Sequence, residues 1–215
     1  MQRVLILGGS FNPMHDGHIY VAKVALKILN EKKIYFLPAK HNPFKKLQQM
    51  PSFENRLQGC RQKILQSRLP KHKFVVSNAE AISKSYETYF VLSDIEKTLF
   101  AKNKKITWIM GLDSLKNFNR WERWQDFTHK YDIVIVARGD TKEKIKILNS
   151  TTVKILRGKI CYNHLLYKSG IMFVDGKNIN ISSTTIRRQH FVNGNSSIAI
   201  ENIYNFNKPI CDFIK

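Results

Sequence analysis

The stretch Arg3-Val4-Leu5-Ile6-Leu7-Gly8-Gly9-Ser10-Phe11-Asn12-Pro13-Met14-His15-Asp16-Gly17-His18 decides the fold. Arg3 to Leu7 is an apolar run closed by Gly8-Gly9, the pattern of a buried parallel strand. Beyond the loop, Ile19, Ala22, Ala25, Leu26 and Leu29 fall at helix spacing from Gly17 to Leu29. Lys33 to Leu37 then reads as a second strand, closed by Pro38. Strand, helix and strand in this order predict a right-handed parallel crossover.

The same alternation continues outward. Helices are expected over Phe53–Leu65, Thr88–Phe100 and Trp121–Phe127, and from about Ser183. Strands are expected over Lys73–Ser77, Ile106–Met110, Ile133–Ala137 and Ile171–Val174. Residues 141 to 165 are the least readable part and are read as a helix and irregular strand pieces. The fold class is therefore α/β: a doubly wound parallel sheet, Rossmann-like. No linker divides the chain, so residues 1 to 215 are read as one domain, with 183 to 215 completing the site and the C-terminal packing. Ligands of such sheets bind beyond the carboxyl ends of the strands, which directs attention to the loops after Leu7, Leu37, Met110 and Val174.

The 215 residues are 43% hydrophobic and 24% charged, the composition of a globular protein. The net charge of +20 fits a solvated basic surface, and it also fits a pocket for anionic phosphates. Nucleic-acid binding is not favoured, because the lysines are scattered singly and in pairs such as Lys32-Lys33 and Lys104-Lys105. Cys60, Cys161 and Cys211 are odd in number and have no metal-like spacing, so reduced thiols are expected. Neither a signal peptide nor a membrane span is expected, which implies a cytoplasmic location.

The first loop carries chemistry. Its glycines allow close backbone approach, Asp16 suits an N-cap, and His15 and His18 stand three apart at a helix start. A helix N-terminus with two histidines makes a phosphate site with two cationic donors. Zinc would need a third ligand that is not near in sequence. Late in the chain, Ile181-Ser182-Ser183-Thr184-Thr185-Ile186-Arg187 pairs capping hydroxyls with a guanidinium one turn in, again suited to phosphate.

These two segments resemble the paired signatures of the nucleotidyltransferase superfamily with the (H/T)-x-G-H motif. Three stretches between them resemble bacterial nicotinate-nucleotide adenylyltransferases: Asn42-Pro43-Phe44-Lys45, Ser85-Tyr86-Glu87-Thr88, and Gly111-Leu112-Asp113-Ser114 followed by Trp121. The resemblance implies AMP transfer from ATP to nicotinate mononucleotide, with Mg²⁺ carried mainly by ATP and no metal held by the protein. His15, His18, Lys45 and Arg187 would be catalytic. Gly8, Gly9, Ser10, Phe11, Ser182, Ser183 and Thr184 would join them around ATP. Asn12, Lys45, Tyr86, Thr88, Gly111, Asp113 and Trp121 would bind the nicotinate nucleotide.

Three departures loosen the choice of acceptor. Phe44 replaces a common histidine, Glu122 a tyrosine, and Glu87 a small polar residue. Nicotinamide mononucleotide therefore stands as an alternative acceptor. Phosphopantetheine is the acceptor of a rival in the same superfamily whose chains lack the Ser-Tyr and Gly-x-Asp…Trp pattern, and a basic nucleic-acid-binding module is an alternative of another class. A class I aminoacyl-tRNA synthetase fragment is disfavoured by the lack of a Lys-Met-Ser-Lys-Ser-type loop. Arg138-Gly139-Asp140 reads as a loop after a strand. The sequence leaves the oligomeric state open.

Overall fold

The computed structural model describes residues 2–42, 50–99, 104–138, 146–147, 150–156, 159–163, 167–177, 179 and 181–192. Its strands are β1 (Gln2–Gly9), β2 (Ile34–Pro38), β3 (Phe74–Val76), β4 (Lys104–Gly111), β5 (Asp132–Ala137), β6 (Ile160–Cys161) and β7 (Ile171–Asp175). They pair in parallel in the order β3-β2-β1-β4-β5-β7-β6. From β1 the chain winds outward through β2 and β3, then returns to place β4 on the other side of β1. The switch point lies between β1 and β4, where Leu7 stands opposite Ile109. A crevice opens at that point beyond the strand ends.

Alternation along the strands builds two cores. Val4 and Ile6 face one side with Ile106, Trp108, Ile133 and Ile135. That side is covered by α4 (Thr88–Leu99), α5 (Leu112–Leu115) and α6 (Trp124–Lys130), which contribute Val91, Leu92, Ile95, Leu115 and Phe127. Leu5 and Leu7 face the other side, against α1 (Asp16–Ile28) and α2 (Phe53–Gln66). There Ile19, Ala22, Ala25 and Leu26 of α1 and Cys60 and Ile64 of α2 complete the core. Residues i and i+2 of a strand share a face, so one apolar run serves both layers. The remaining helices are α3 (Ala79–Ile82), α7 (Thr151–Leu156) and α8 (Ser183–Val192).

One expectation changes. Trp121 to Phe127 is not one helix. A 3₁₀ turn covers Phe118–Arg120, Arg123 takes a left-handed φ of 53°, and α6 begins at Trp124. The left-handed residue interrupts helical hydrogen bonding, while the rings of Phe118, Trp121 and Phe127 still pack edge to face. Within the 141–165 stretch, read as a helix and strand pieces, lie α7 and β6, both short. Among the described residues, no helix is long and apolar enough to cross a membrane.

Candidate active site

β1 ends against an aromatic floor. A Cβ on Gly8 would stand 1.9 Å from the Trp108 indole, so only glycine lets β1 run flush over this ring. The chain then turns through Phe11, which is buried with a φ of 44°. The Phe11 ring meets His18 edge to face at 4.9 Å and Phe36 at 6.0 Å, making a wall under the second histidine.

The two histidines hold each other. His15, not Asp16, is the N-cap of α1: its Nδ1 accepts from the main-chain N–H of Gly17 at 3.1 Å. The main-chain N–H of His15 donates to Nδ1 of His18, also at 3.1 Å. The result is a capping box built from two imidazoles, with ring centroids 3.9 Å apart. The displaced Asp16 occupies the first helical position, where its carboxylate suits the helix dipole and pairs with Lys63 at 2.8 Å.

This geometry corrects the expectation of two cationic donors. Each Nδ1 accepts a hydrogen bond, so each ring carries its proton on Nε2 and is neutral in this arrangement. At His15, burial chiefly, and the nearby Arg138 cation next, push the pKa down to about 3. Its Nε2 is buried and meets no partner among the described residues. A buried N–H donor at a helix N-terminus suits an anionic oxygen. A neutral imidazole with a depressed pKa, as at His15, can polarise an oxygen as a hydrogen-bond donor.

The late motif closes onto the same loop. Ser182 caps α8, its Oγ accepting from the N–H of Thr185 at 3.1 Å. Ser183 Oγ instead donates to the Pro13 carbonyl at 2.9 Å. Arg187 donates to the Asn12 carbonyl and, at 3.2 Å, to Thr184 Oγ1. Residues about 170 positions apart thus share one wall of the crevice.

Two arginines anchor the site, and the sequence reading assigned a role to neither. Arg56 is 1% exposed. Its guanidinium donates to the carbonyls of Ser10, Ala39, Lys40 and Pro51, locking the loops after β1 and β2 together. Arg138, at the end of β5, reaches Asp113 at 3.7 Å and the Ile181 carbonyl at 3.2 Å. Arg138 enters the sequence reading only as the first residue of a loop after a strand, the position where ligands of such sheets bind.

The cytidylyltransferase-like family matches residues 6–189. A protein of Pelagibacter ubique described as "Probable nicotinate-nucleotide adenylyltransferase" is 32% identical over 186 residues, 86% of this chain and 92% of the relative. The chain belongs to the nicotinate-nucleotide adenylyltransferase family. An Agrobacterium fabrum member is 29% identical over 194 residues, covering 86% of this chain and 97% of that one. The Plasmodium falciparum nicotinic acid mononucleotide adenylyltransferase complexed with NaAD shares the fold. It has a TM-score of 0.64 and 16% identity, with 96% of this chain and 99% of that chain covered.

The described residues that the family resemblance assigns to the acceptor are spread over several elements. Asn12 is buried in the first loop. Asp113 follows Gly111, which rather than the aspartate is the N-cap of α5, and its carboxylate is more than half exposed. Tyr86 is exposed and meets His41 edge to face at 5.0 Å, and Thr88 opens α4. Trp121 packs edge-on against Trp108 at 6.1 Å and Phe118 at 5.2 Å, so it continues the floor under Gly8. Glu87 accepts from the Ser85 hydroxyl, and that bond, chiefly, holds its carboxyl below the usual range. Glu122 is exposed. Lys45 and Phe44 lie outside the described residues.

Proposed function

We propose that this chain transfers AMP from ATP to nicotinate mononucleotide, giving nicotinate adenine dinucleotide and pyrophosphate. One observation carries the reading. The Nε2–H groups of a mutually capped histidine pair and the Arg187 guanidinium border one loop, Phe11 to Pro13, at the switch point of the sheet. Family membership supports the substrate pair.

The chemistry follows from the donors. An oxygen of the acceptor's 5′-phosphate attacks the α-phosphorus of ATP, the bond from that phosphorus to the bridging oxygen breaks, and pyrophosphate leaves with the electron pair. The attacking oxygen is already anionic near neutral pH, so no side chain acts as nucleophile or base. Charge moves toward the bridging oxygen, and preformed donors placed there lower the barrier. His15 and His18 supply N–H groups from a rigid helix start. Arg187 and the first turn of α8 face the leaving phosphates. Asp113 accepts from a ribose hydroxyl of the acceptor, with Trp121 beside the pyridine ring.

Mg²⁺ enters as MgATP, bound by phosphate oxygens and water. Among the described residues, no group of three or more acidic, histidine or cysteine side chains gathers to hold an ion. The unpaired thiols of Cys60 and Cys161 suit a cytoplasmic setting.

The test is turnover of MgATP with nicotinate mononucleotide, nicotinamide mononucleotide and phosphopantetheine in separate assays, read by pyrophosphate release. Preference for the first is expected. Turnover of phosphopantetheine alone, or of none of the three, would refute the assignment.

A further inference from the structure

The glycine between the two histidines stands where a guanidinium needs room. A Cβ on Gly17 would lie 1.9 Å from Arg138 Nη1, and only then, at 2.9 Å, from the His15 ring. The same guanidinium presents Nη1 to the Ile181 carbonyl at 3.2 Å and Nη2 to Asp113 Oδ2 at 3.7 Å. Its Nε would lie 3.7 Å from a Cβ on Gly111. The Arg138 side chain is only 10% exposed. One planar group therefore touches the start of α1, the turn after β4 and the residue preceding the α8 cap.

We propose that Arg138 is a positioning residue for the transfer reaction, a hub that fixes the His15–His18 helix start, Asp113 and the Ile181–Arg187 segment relative to one another. The inference rests on the adenylyltransferase reading, because these three segments are the ones that reading assigns to ATP and to the acceptor ribose. Burying a guanidinium is costly, and a single partly exposed carboxylate does little to offset it. A hub role accounts for its retention. The planar fork can serve several directions at once, whereas a lysine ammonium offers charge without that geometry.

Arg138 also acts on His15 electrostatically. Burial and three charged groups act on that ring. Burial and the cations Arg138 and, from α2, Lys63 keep it neutral, while Asp16 opposes them. Removing Arg138 releases part of this restraint, so His15 takes up a proton at higher pH.

The proposal separates two contributions that substitution can distinguish. Arg138→Lys keeps the charge and loses the fork, and Arg138→Ala loses both. Kinetics with MgATP and nicotinate mononucleotide should show kcat lowered about 100-fold in Arg138→Ala, with KM for the mononucleotide raised about 10-fold, as expected when reacting groups shift by an ångström. Arg138→Lys should recover only a small part of that loss, while the acidic limb of its kcat/KM profile stays at the wild-type pH. In Arg138→Ala that limb should move to higher pH. Arg138→Ala constants within about threefold of wild type, or full rescue by lysine, would overturn the hub role. Should alanine prevent folding, the lysine variant carries the test alone. Should wild-type protein turn over no acceptor, the reaction itself is refuted. The ¹H NMR titration of His15 in substrate-free protein then judges Arg138 separately: an upward shift in Arg138→Ala supports the hub, and an unmoved titration ends it.

Discussion

The main-chain N–H of His15 donates to Nδ1 of His18 at 3.1 Å, so the second histidine of the pair caps the helix that carries it. This bond leaves the proton of His18 on Nε2 and fixes the ring at the helix start. His18→Ala removes a donor needed most as charge develops. Its kcat should fall about 100-fold while KM for ATP changes little. Turnover within a few-fold of wild type would remove His18 from the charge-stabilising role.

His15 makes the fold acid-sensitive. Above about pH 6.5 the ring is neutral in both folded and unfolded chains. As pH falls toward about 3, the unfolded chain takes up a proton that the folded chain refuses, because burial chiefly, and then Arg138, depress the folded pKa. Stability from this group is therefore present above pH 6.5 and lost below it. His15→Ala loses a cap, at about 1 kcal/mol, and should flatten the decline of Tm between pH 6.5 and 4. A decline as steep as wild type would show that His15 is not the group responsible.

Glu80 acts in the opposite direction. It is 3% exposed and accepts from the main-chain N–H of Lys40, and burial pushes its pKa up to about 8. Between about pH 4.5 and 8 the folded chain keeps a proton that the unfolded chain has lost, so stability falls as pH rises through this window. Glu80→Gln keeps an acceptor for Lys40 and removes the ionisation. Its Tm should exceed wild type at pH 8.5 and match it near pH 5. Equal values at both would refute the raised pKa.

Gly8→Ala places a methyl group within 1.9 to 2.9 Å of three Trp108 ring atoms. The indole lies in the core, packed on Trp121 and Phe127. Overpacking of this kind costs about 1–3 kcal/mol, which should lower Tm by several degrees and disturb the crevice floor. An unchanged melting curve would place the Trp108 ring elsewhere.

Arg187→Ala loses the guanidinium that faces the first loop and, in the proposed reaction, the leaving phosphates. KM for ATP and inhibition by pyrophosphate should each weaken about 10-fold, with kcat less affected. An unchanged KM for ATP would exclude Arg187 from the triphosphate site.

The sheet was legible because its strands are apolar runs placed between helical periods. β1, β4 and β5 needed only their hydrophobic pattern. α6 was misplaced because a pattern of Trp121, Trp124 and Phe127 cannot reveal the left-handed backbone at Arg123. In the site, the His15–His18 spacing announced a helix-terminal donor pair, yet the rings' protonation depended on burial and on Arg138, which lies more than 100 positions away in sequence. The roles of Arg56 and Arg138 were illegible for the same reason. Their partners are mostly backbone carbonyls, brought near only by the winding of the sheet, and backbone acceptors leave no trace in residue types.

A crystal structure with a non-hydrolysable ATP analogue and Mg²⁺ tests the central claim most directly. The account predicts phosphate oxygens within hydrogen-bond distance of Nε2 of both His15 and His18, with Arg187 on the same triphosphate. A nucleotide bound away from the Phe11–Pro13 loop, or touching the histidines while Arg187 faces another way, would contradict it.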